Sequence, residues 1–398
     1  MDITIYPSLL SGTVRAIPSK SQAHRLLICA AFADRDTELV CPETNRDIEA
    51  TVDCLRSLGA DILRTDEGYL VKPIFSLPQS AVLNCAESGS TLRFLLPVVG
   101  ALGVDGTFQM EGRLPQRPLS PLWEELERMG CTLSRPNTNT LRCTGKLTSG
   151  TYSISGRVSS QYITGLLFAI AMMSGESNIV LTDKLESKPY IDMTQAALST
   201  FGVSTAAFHV CGQLPFHSPG RILVEGDWSN GAFFLAAESL GNHVRTDNLD
   251  PNSPQGDKLV LELLKKLQHQ TTISAANIPD LIPILSVVAA AKNGAVFTDI
   301  QRLRLKESDR VTAVCQMLGS LGIRTLSDET TLTVFPGKFH GGTIDSFNDH
   351  RIAMSAAIAA TVADGPVTIQ GAQCVEKSYP SFWREYRNLG GKYEQYIR

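Results

Sequence analysis

The stretch SGSTLRFLLPVVGALG, Ser88 to Gly103, decides how the chain folds. It opens on a serine, whose side-chain oxygen can cap a helix N-terminus, and then turns apolar on nearly every side. A helix without a polar face is buried all round, so this one belongs inside a core. Five further stretches share the form: SQAHRLLICAAFA, SSQYITGLLFAIAMMSG, SNGAFFLAAESLG, PDLIPILSVVAAAKNG and DHRIAMSAAIAATVADG. A second series alternates with them. In DIEATVDCLRSLG the apolar residues fall at helical spacing and the closing glycine suits a left-handed C-terminal cap. The same ending recurs at Met129-Gly130, Phe201-Gly202, Leu321-Gly322 and Leu389-Gly390, with a glycine-less version at Leu267. Short runs between the helices, TFQMEG, YSISG, NIVLTD, AVFTDI and VTIQGA, read as strands.

The chain is therefore an α/β protein of six similar units, each holding two helices and a few strands. Two segments bearing proline and glycine, Ser11 to Pro18 and LPFHSPG at 214–220, divide the units three and three. This predicts one domain over residues 19–220 and a second made of 1–12 plus 225–398, the N-terminal strand pairing in the latter. A length of 398 residues also exceeds the usual size of a single core.

Charge bounds the partners. A net charge of -4 argues against a general binder of nucleic acid or anionic membranes, which are held by basic surfaces. The N-terminus, MDITIYPSLL, lacks a secretory pattern, and the apolar runs stop short of the roughly 20 residues a membrane span needs. A cytoplasmic monomer is expected. Nine cysteines, scattered and never in C-x-x-C, suit reduced buried thiols, and the seven histidines show no paired ligand spacing, so no metal is expected.

The polar residues of the apolar helices sit almost entirely in their first turns: Lys20 and Ser21, Gly89 and Ser90, Ser159 to Gln161, Ser229 and Asn230, Asp280, and Asn348 to Arg351. One such helix start is an ordinary cap. Several in register offer free N–H groups and about +0.5 charge each, which together make an anion site.

PSKSQAHR, ESGSTLR, QRP, VSSQ, SKPYID, PD, KESDR, NDHR and the lysine of CVEKSYP stand in an order and spacing that resembles the 5-enolpyruvylshikimate-3-phosphate synthase family, from Lys20 to Lys377. The resemblance implies a two-domain inside-out α/β barrel of six βαβαββ units, closing over a cleft that holds the active site. It implies transfer of the enolpyruvyl group of phosphoenolpyruvate to the 5-hydroxyl of shikimate 3-phosphate, through a tetrahedral intermediate and with no cofactor. The two substrates bring on the order of -5 to -6 charges, and the matching cations Lys20, Arg25, Arg117, Lys306, Arg310, Arg351 and Lys377 balance them.

By the same resemblance, shikimate 3-phosphate falls to Lys20, Ser21, Arg25, Ser159, Ser160, Gln161, Ser187, Tyr190, Asp280 and Lys306. Phosphoenolpyruvate falls to Lys20, the Gly89 backbone, Arg117, Gln161, Arg310, Arg351 and Lys377, where arginine forks suit carboxylate and phosphate. The reaction must take a proton from the hydroxyl and give one to C3 of the enol. Asp280, with a possible share for Lys20, is the expected base and Glu307 the expected acid, with Arg304 and Asp309 as supports. If RLRLKESDR is helical, Lys306 and Arg310 share a face.

Departures from the family pattern are local. Glu87, Ser90 and Phe94 stand where relatives carry an amide, a threonine and a proline, which leaves the response to glyphosate open, and the roles of Arg302 and His350 are open too. A UDP-N-acetylglucosamine enolpyruvyl transferase would place a cysteine in the loop EGRLPQR, which has none, and a non-catalytic anion binder would be expected to lose Asp280 or Glu307.

Overall fold

Both helix series are present in alternation along the chain. The computed structural model describes residues 1–205, 208–211 and 214–396. The apolar series forms helices Lys20–Ala31, Gly89–Leu102, Ser160–Met172, Trp228–Ser239, Ile282–Ala291 and His350–Ala359, buried along most of their length. The amphipathic series forms Arg46–Ser57, Leu122–Arg128, Lys188–Thr200, Val260–Lys266, Arg310–Ser320 and Phe382–Asn388. The glycines that close five of these, Gly59, Gly130, Gly202, Gly322 and Gly390, all have left-handed φ angles.

One unit shows how each repeat is built. Strand Ser80–Asn84 pairs parallel with Asp105–Gln109, and a parallel pair needs a crossover. The buried helix Gly89–Leu102 is that crossover. The amphipathic helix Leu122–Arg128 then leads into an antiparallel hairpin of Cys131–Asn137 and Thr140–Gly145, which completes the sheet. Strands Thr271–Ser274, Ala295–Thr298, Thr325–Ser327 and Thr331–Val334 repeat the pattern. Alternating exposure along Ser80–Asn84 leaves one sheet face to solvent and the other to the helices.

The chain divides into two compact units, Pro18–Val224 and Met1–Ile17 with Glu225–Arg398. Each has its own continuous apolar core. Ser11–Arg15, although it precedes helix Lys20–Ala31 in sequence, pairs parallel with His243–Asp247 inside the Met1–Ile17 and Glu225–Arg398 unit. Conversely, Arg221–Leu223 pairs parallel with Thr37–Val40. The segment 214–220 lies in the Pro18–Val224 unit, where Phe216 bridges Ala33 and the Ser218 hydroxyl lies 2.7 Å from that of Thr37. Asp2–Tyr6 pairs with both Val367–Gln370 and Lys392–Tyr396.

Seven cysteines are buried; Cys211 is exposed and Cys315 partly so, which corrects the expectation that all are core. Among the described residues no helix is long and apolar enough to cross a membrane.

Helices Gly89–Leu102 and Ser160–Met172 meet at Gly165, where an added Cβ would lie 2.2 Å from the Arg93 carbonyl oxygen. Only glycine permits this approach. Gly165→Val therefore lowers the unfolding free energy by about 1–3 kcal/mol or more, as is typical of overpacking and visible as a lower denaturant midpoint, and an unchanged midpoint would refute the close contact.

Candidate active site

In the Pro18–Val224 unit, three helix starts are tied together by buried polar groups. The Ser19 and Ser88 side chains cap helices Lys20–Ala31 and Gly89–Leu102. A hydroxyl chain runs from His24 Nδ1 to Thr51 (2.7 Å), on to Thr91 (2.7 Å) and to Ser88 (2.7 Å). Burial pushes the His24 imidazole down to about 3, so it is neutral and serves as structure. Lys20 lies 3.0 Å from Asp47 at the start of the next helix.

Arg25 is almost fully buried beneath these starts. Its guanidinium donates to the Ser21 carbonyl (2.5 Å), the Tyr190 carbonyl (2.9 Å) and the Thr194 hydroxyl (2.8 Å), and stacks 4.9 Å from the Phe94 ring. Burial lowers its pKa to about 10, still a cation at neutral pH. It thereby fixes helix Lys188–Thr200, whose start carries Ser187 in a left-handed conformation and the half-buried Tyr190.

Above Gly89 sit two guanidiniums. A Cβ there would meet Arg93 Nη1 at 2.6 Å and Arg117 Nη1 at 2.7 Å, so any side chain at this position would push the two guanidiniums aside. Arg93 donates to Gln161 (3.3 Å), which donates in turn to Ser90 (3.1 Å). Ser159 caps its helix through Gln161 N, and Ser160 is buried behind it. Arg93 was missed as a site cation, although a lone arginine in an otherwise apolar helix was the available signal. The Glu87 carboxylate lies over Gly112, where a Cβ would meet it at 2.6 Å.

In the other unit the centre is Arg310, with its side chain 1% exposed. Its three nitrogens donate to three carboxylates: Nε to Asp349 (2.9 Å), Nη1 to Asp280 (2.6 Å) and Nη2 to Glu307 (2.8 Å). Burial opposes its charge, but Asp349, Glu307 and Asp280 outweigh that and hold it well above its ordinary pKa. Asp280 also accepts from Arg351 Nη2 (3.0 Å), with Lys306 Nζ at 3.9 Å. Burial pushes the Asp280 carboxyl up, yet Arg351, Lys306 and Arg310 overcome it and keep it well below the carboxylate range. Burial is also the chief cause that lowers Lys306 to about 8, with Arg302 and Arg310 assisting and Asp280 opposing.

Local backbone explains the aim of these groups. Asp349 caps helix His350–Ala359 and accepts from Ser308 (2.9 Å), and it follows two non-glycine residues with positive φ, Phe347 at 54° and Asn348 at 52°. Such strain, about 1–3 kcal/mol each, persists where surrounding contacts enforce it. Asp280 is not a helix cap, since Leu281 occupies that position and the carboxylate is committed to arginine. RLRLKESDR is not one helix either. A 3-10 turn spans Gln301–Leu305, Lys306 is extended, and the α-helix begins at Arg310 under an Asp309 cap. Lys306 and Arg310 still share Asp280, through a chain reversal rather than a helical face. Arg304 supports that turn by pairing with Asp309 at 3.1 Å. Lys377, at the end of the 3-10 helix Ala372–Lys377, is buried, and so is His350.

Asp257 was also missed. It is buried beside this cluster, takes a hydrogen bond from Ser229, and its Oδ1 has no hydrogen-bond partner. Burial, then the charge of Asp280, pushes its pKa up to about 7, against the pull of Arg351 and Ser229. Nothing in QGD, residues 255–257, forms a periodic or capping signal.

The chain matches the pattern of EPSP synthase (3-phosphoshikimate 1-carboxyvinyltransferase) over residues 6–386. Relatives called 3-phosphoshikimate 1-carboxyvinyltransferase include one from Clostridium kluyveri, 36% identical over 99% of this chain and 98% of its own. Another, from Clostridium perfringens, is 37% identical over 98% of each. An EPSP synthase structure from Acinetobacter baumannii superposes with a TM-score of 0.80 over 99% of this chain and all of that one, at 24% identity. The enolpyruvyl transferase NikO from Streptomyces tendae superposes at 0.76 over 99% and 98%, at 18% identity. These structures share the fold.

The raised pKa of Asp257 makes a stability prediction. Its unfolded value is about 3.9, so the neutral carboxyl stabilises fully below about pH 4 and that contribution is lost as pH rises through about 7. Asp257→Asn should therefore stabilise the protein, relative to wild type, more at pH 8 than at pH 4. Equal shifts of the unfolding midpoint at both pH values would place the Asp257 pKa in the ordinary range.

Proposed function

The chain belongs to the EPSP synthase family and transfers the enolpyruvyl group of phosphoenolpyruvate to shikimate 3-phosphate; from that premise we propose how its residues divide the work. The observation that carries the reading is the Arg310–Asp280–Arg351 lattice, where a carboxylate is held by two guanidinium forks suited to a substrate carboxylate.

Shikimate 3-phosphate binds through Lys20, Ser21, Ser159, Ser160, Gln161, Ser187 and Lys306, with Arg25 adding charge from below and holding Tyr190 in place. Hydroxyls and an amide at helix starts hold phosphate and hydroxyl oxygens directionally. Phosphoenolpyruvate is held by Lys20, the Gly89 N–H, Arg117, Gln161, Arg310, Arg351 and Lys377, and Arg93 joins this set.

In the free protein Asp280 is a weak base, because the arginines stabilise its charge. When the substrate carboxylate takes hydrogen bonds from Arg310 and Arg351, Asp280 loses that stabilisation and its pKa rises toward a useful value. It then accepts the proton of the 5-hydroxyl as that oxygen attacks C2, while Glu307, paired with Arg310 at 2.8 Å in the free protein and protonated from solvent once substrate anions draw that guanidinium away, delivers its proton to C3. The intermediate bears a methyl group, the new C–O bond and phosphate on one carbon. Loss of a methyl proton and of phosphate restores the double bond. Lys20 stabilises the oxygens on which charge collects and can share the base role. The reaction needs no outside oxidant or reductant. All these groups come from one chain, so the reading includes a monomer working in the cytoplasm.

Phosphate release from phosphoenolpyruvate should require shikimate 3-phosphate, with UDP-N-acetylglucosamine inactive as acceptor; no release would overturn the reading. Glu307→Gln should lower kcat by about 10²- to 10⁴-fold with little change in the Kd of either substrate. A parallel loss of binding would remove Glu307 from the acid role.

Binding the phosphate should raise the pKa of Lys306, which stands at about 8. Shikimate 3-phosphate should then take up a fraction of a proton at pH 8, seen as a buffer-dependent binding enthalpy. Lys306→Met should abolish the uptake, and uptake unchanged in that variant would exclude the contact.

A further inference from the structure

A second group of chemically reactive side chains lies outside the substrate machinery, on the sheet of strands Thr151–Ile154, Glu176–Leu181 and His209–Cys211. The last two strands pair antiparallel, with Glu176 opposite Cys211 and Asn178 opposite His209. Residues two apart on a strand share a face, so His209 and Cys211 project together, and Glu176 joins them across the ladder. Their ligand atoms lie within 4.8 Å of one another, and all three residues are exposed. His209 Nε2 is 2.8 Å from the Glu176 carboxylate and 3.7 Å from Cys211 Sγ.

We propose that Cys211, His209 and Glu176 form a surface site for a divalent transition-metal ion, zinc first, with water as the fourth ligand. Zinc bonds of about 2.3 Å to sulfur and 2.0–2.1 Å to nitrogen place those two atoms about 3.5 Å apart in a tetrahedron, close to the separation found here. A thiolate and a carboxylate bring two negative charges, and the imidazole adds a neutral nitrogen, so a divalent ion is neutralised. Sulfur and imidazole donors select zinc or a similar ion over magnesium or calcium. Exposure leaves the remaining position open to water. The ion would cross-link two strands of the repeat that also carries Ser187 and Tyr190, and so would act as a clip on the fold rather than as a part of the reaction.

A histidine and cysteine two apart form a ligand pair only on a strand, and a strand as short as His209–Cys211 carries little periodic signal in the sequence.

Cobalt(II), which takes the same tetrahedral geometry and reports on its ligands by colour, tests this with the full-length protein. Titration should give one equivalent bound, with a thiolate-to-cobalt charge-transfer band that zinc displaces. Cys211→Ser should abolish the band and Cys315→Ser should keep it. His209→Ala and Glu176→Gln should each weaken binding at least about tenfold. Zinc should raise the unfolding midpoint of the wild type and leave that of Cys211→Ser unchanged. Absence of the band in the wild type, or its persistence in Cys211→Ser, would overturn the site. Since these residues lie outside the proposed machinery, phosphate release without added metal should be equal in wild type and variants.

Discussion

A buried guanidinium serving three carboxylates is the constraint on which the C-terminal cluster depends. Arg310 cannot lose its charge, and without partners its burial would be prohibitive. Asp349, Asp280 and Glu307 each satisfy one of its nitrogens, and each comes from a different local device. Asp349 is pushed inward by a left-handed turn, Asp280 precedes a buried helix without capping it, and Glu307 lies in the reversal before the helix that Arg310 opens. Removing any one carboxylate leaves the others to carry the charge in altered geometry. The arrangement is thus structural support and, on the proposed reading, substrate recognition at once.

The N-terminal cluster solves a similar problem with neutral groups. There the helix starts are joined by threonine and serine hydroxyls and a neutral histidine, and its cations, Arg25, Arg93 and Arg117, meet carbonyl, amide and hydroxyl oxygens or the bare face of Gly89. The C-terminal cluster sets Arg310, Arg351, Lys306 and Lys377 against Asp280, Glu307, Asp349 and Asp257, whose charge burial disfavours. On the proposed reading, a substrate carboxylate arriving there displaces an internal one. That exchange couples binding to the activation of a base.

Much of this was legible in the chain because the helices announce themselves. A polar helix start followed by an unbroken apolar run has few structural solutions, and six such helices in alternation with amphipathic ones, five of them glycine-terminated, specify the repeat. The crossed strands at 11–15 and 221–223 were only half legible, since three to five extended residues carry little pattern and their partners are distant in sequence. Family motifs marked Asp280, Lys306, Glu307 and Arg310, but not their geometry: the turn at Lys306 depends on Arg304 meeting Asp309 and a backbone carbonyl, which spacing alone does not encode. Asp257 was invisible because its chemistry comes wholly from burial and from the charge of Asp280. Arg93 was visible yet overlooked, as its neighbours are all apolar.

The central claim is that Asp280 is a suppressed base until a substrate carboxylate takes its arginines. Carboxyl carbon NMR of labelled protein, with Asp280→Asn to assign the resonance, follows its titration directly. In the free protein Asp280 should remain ionised well below the ordinary aspartate range, and with shikimate 3-phosphate and an unreactive phosphoenolpyruvate analogue bound its pKa should move upward. The same titration with and without ligands, or an ordinary value in the free protein, would contradict the account.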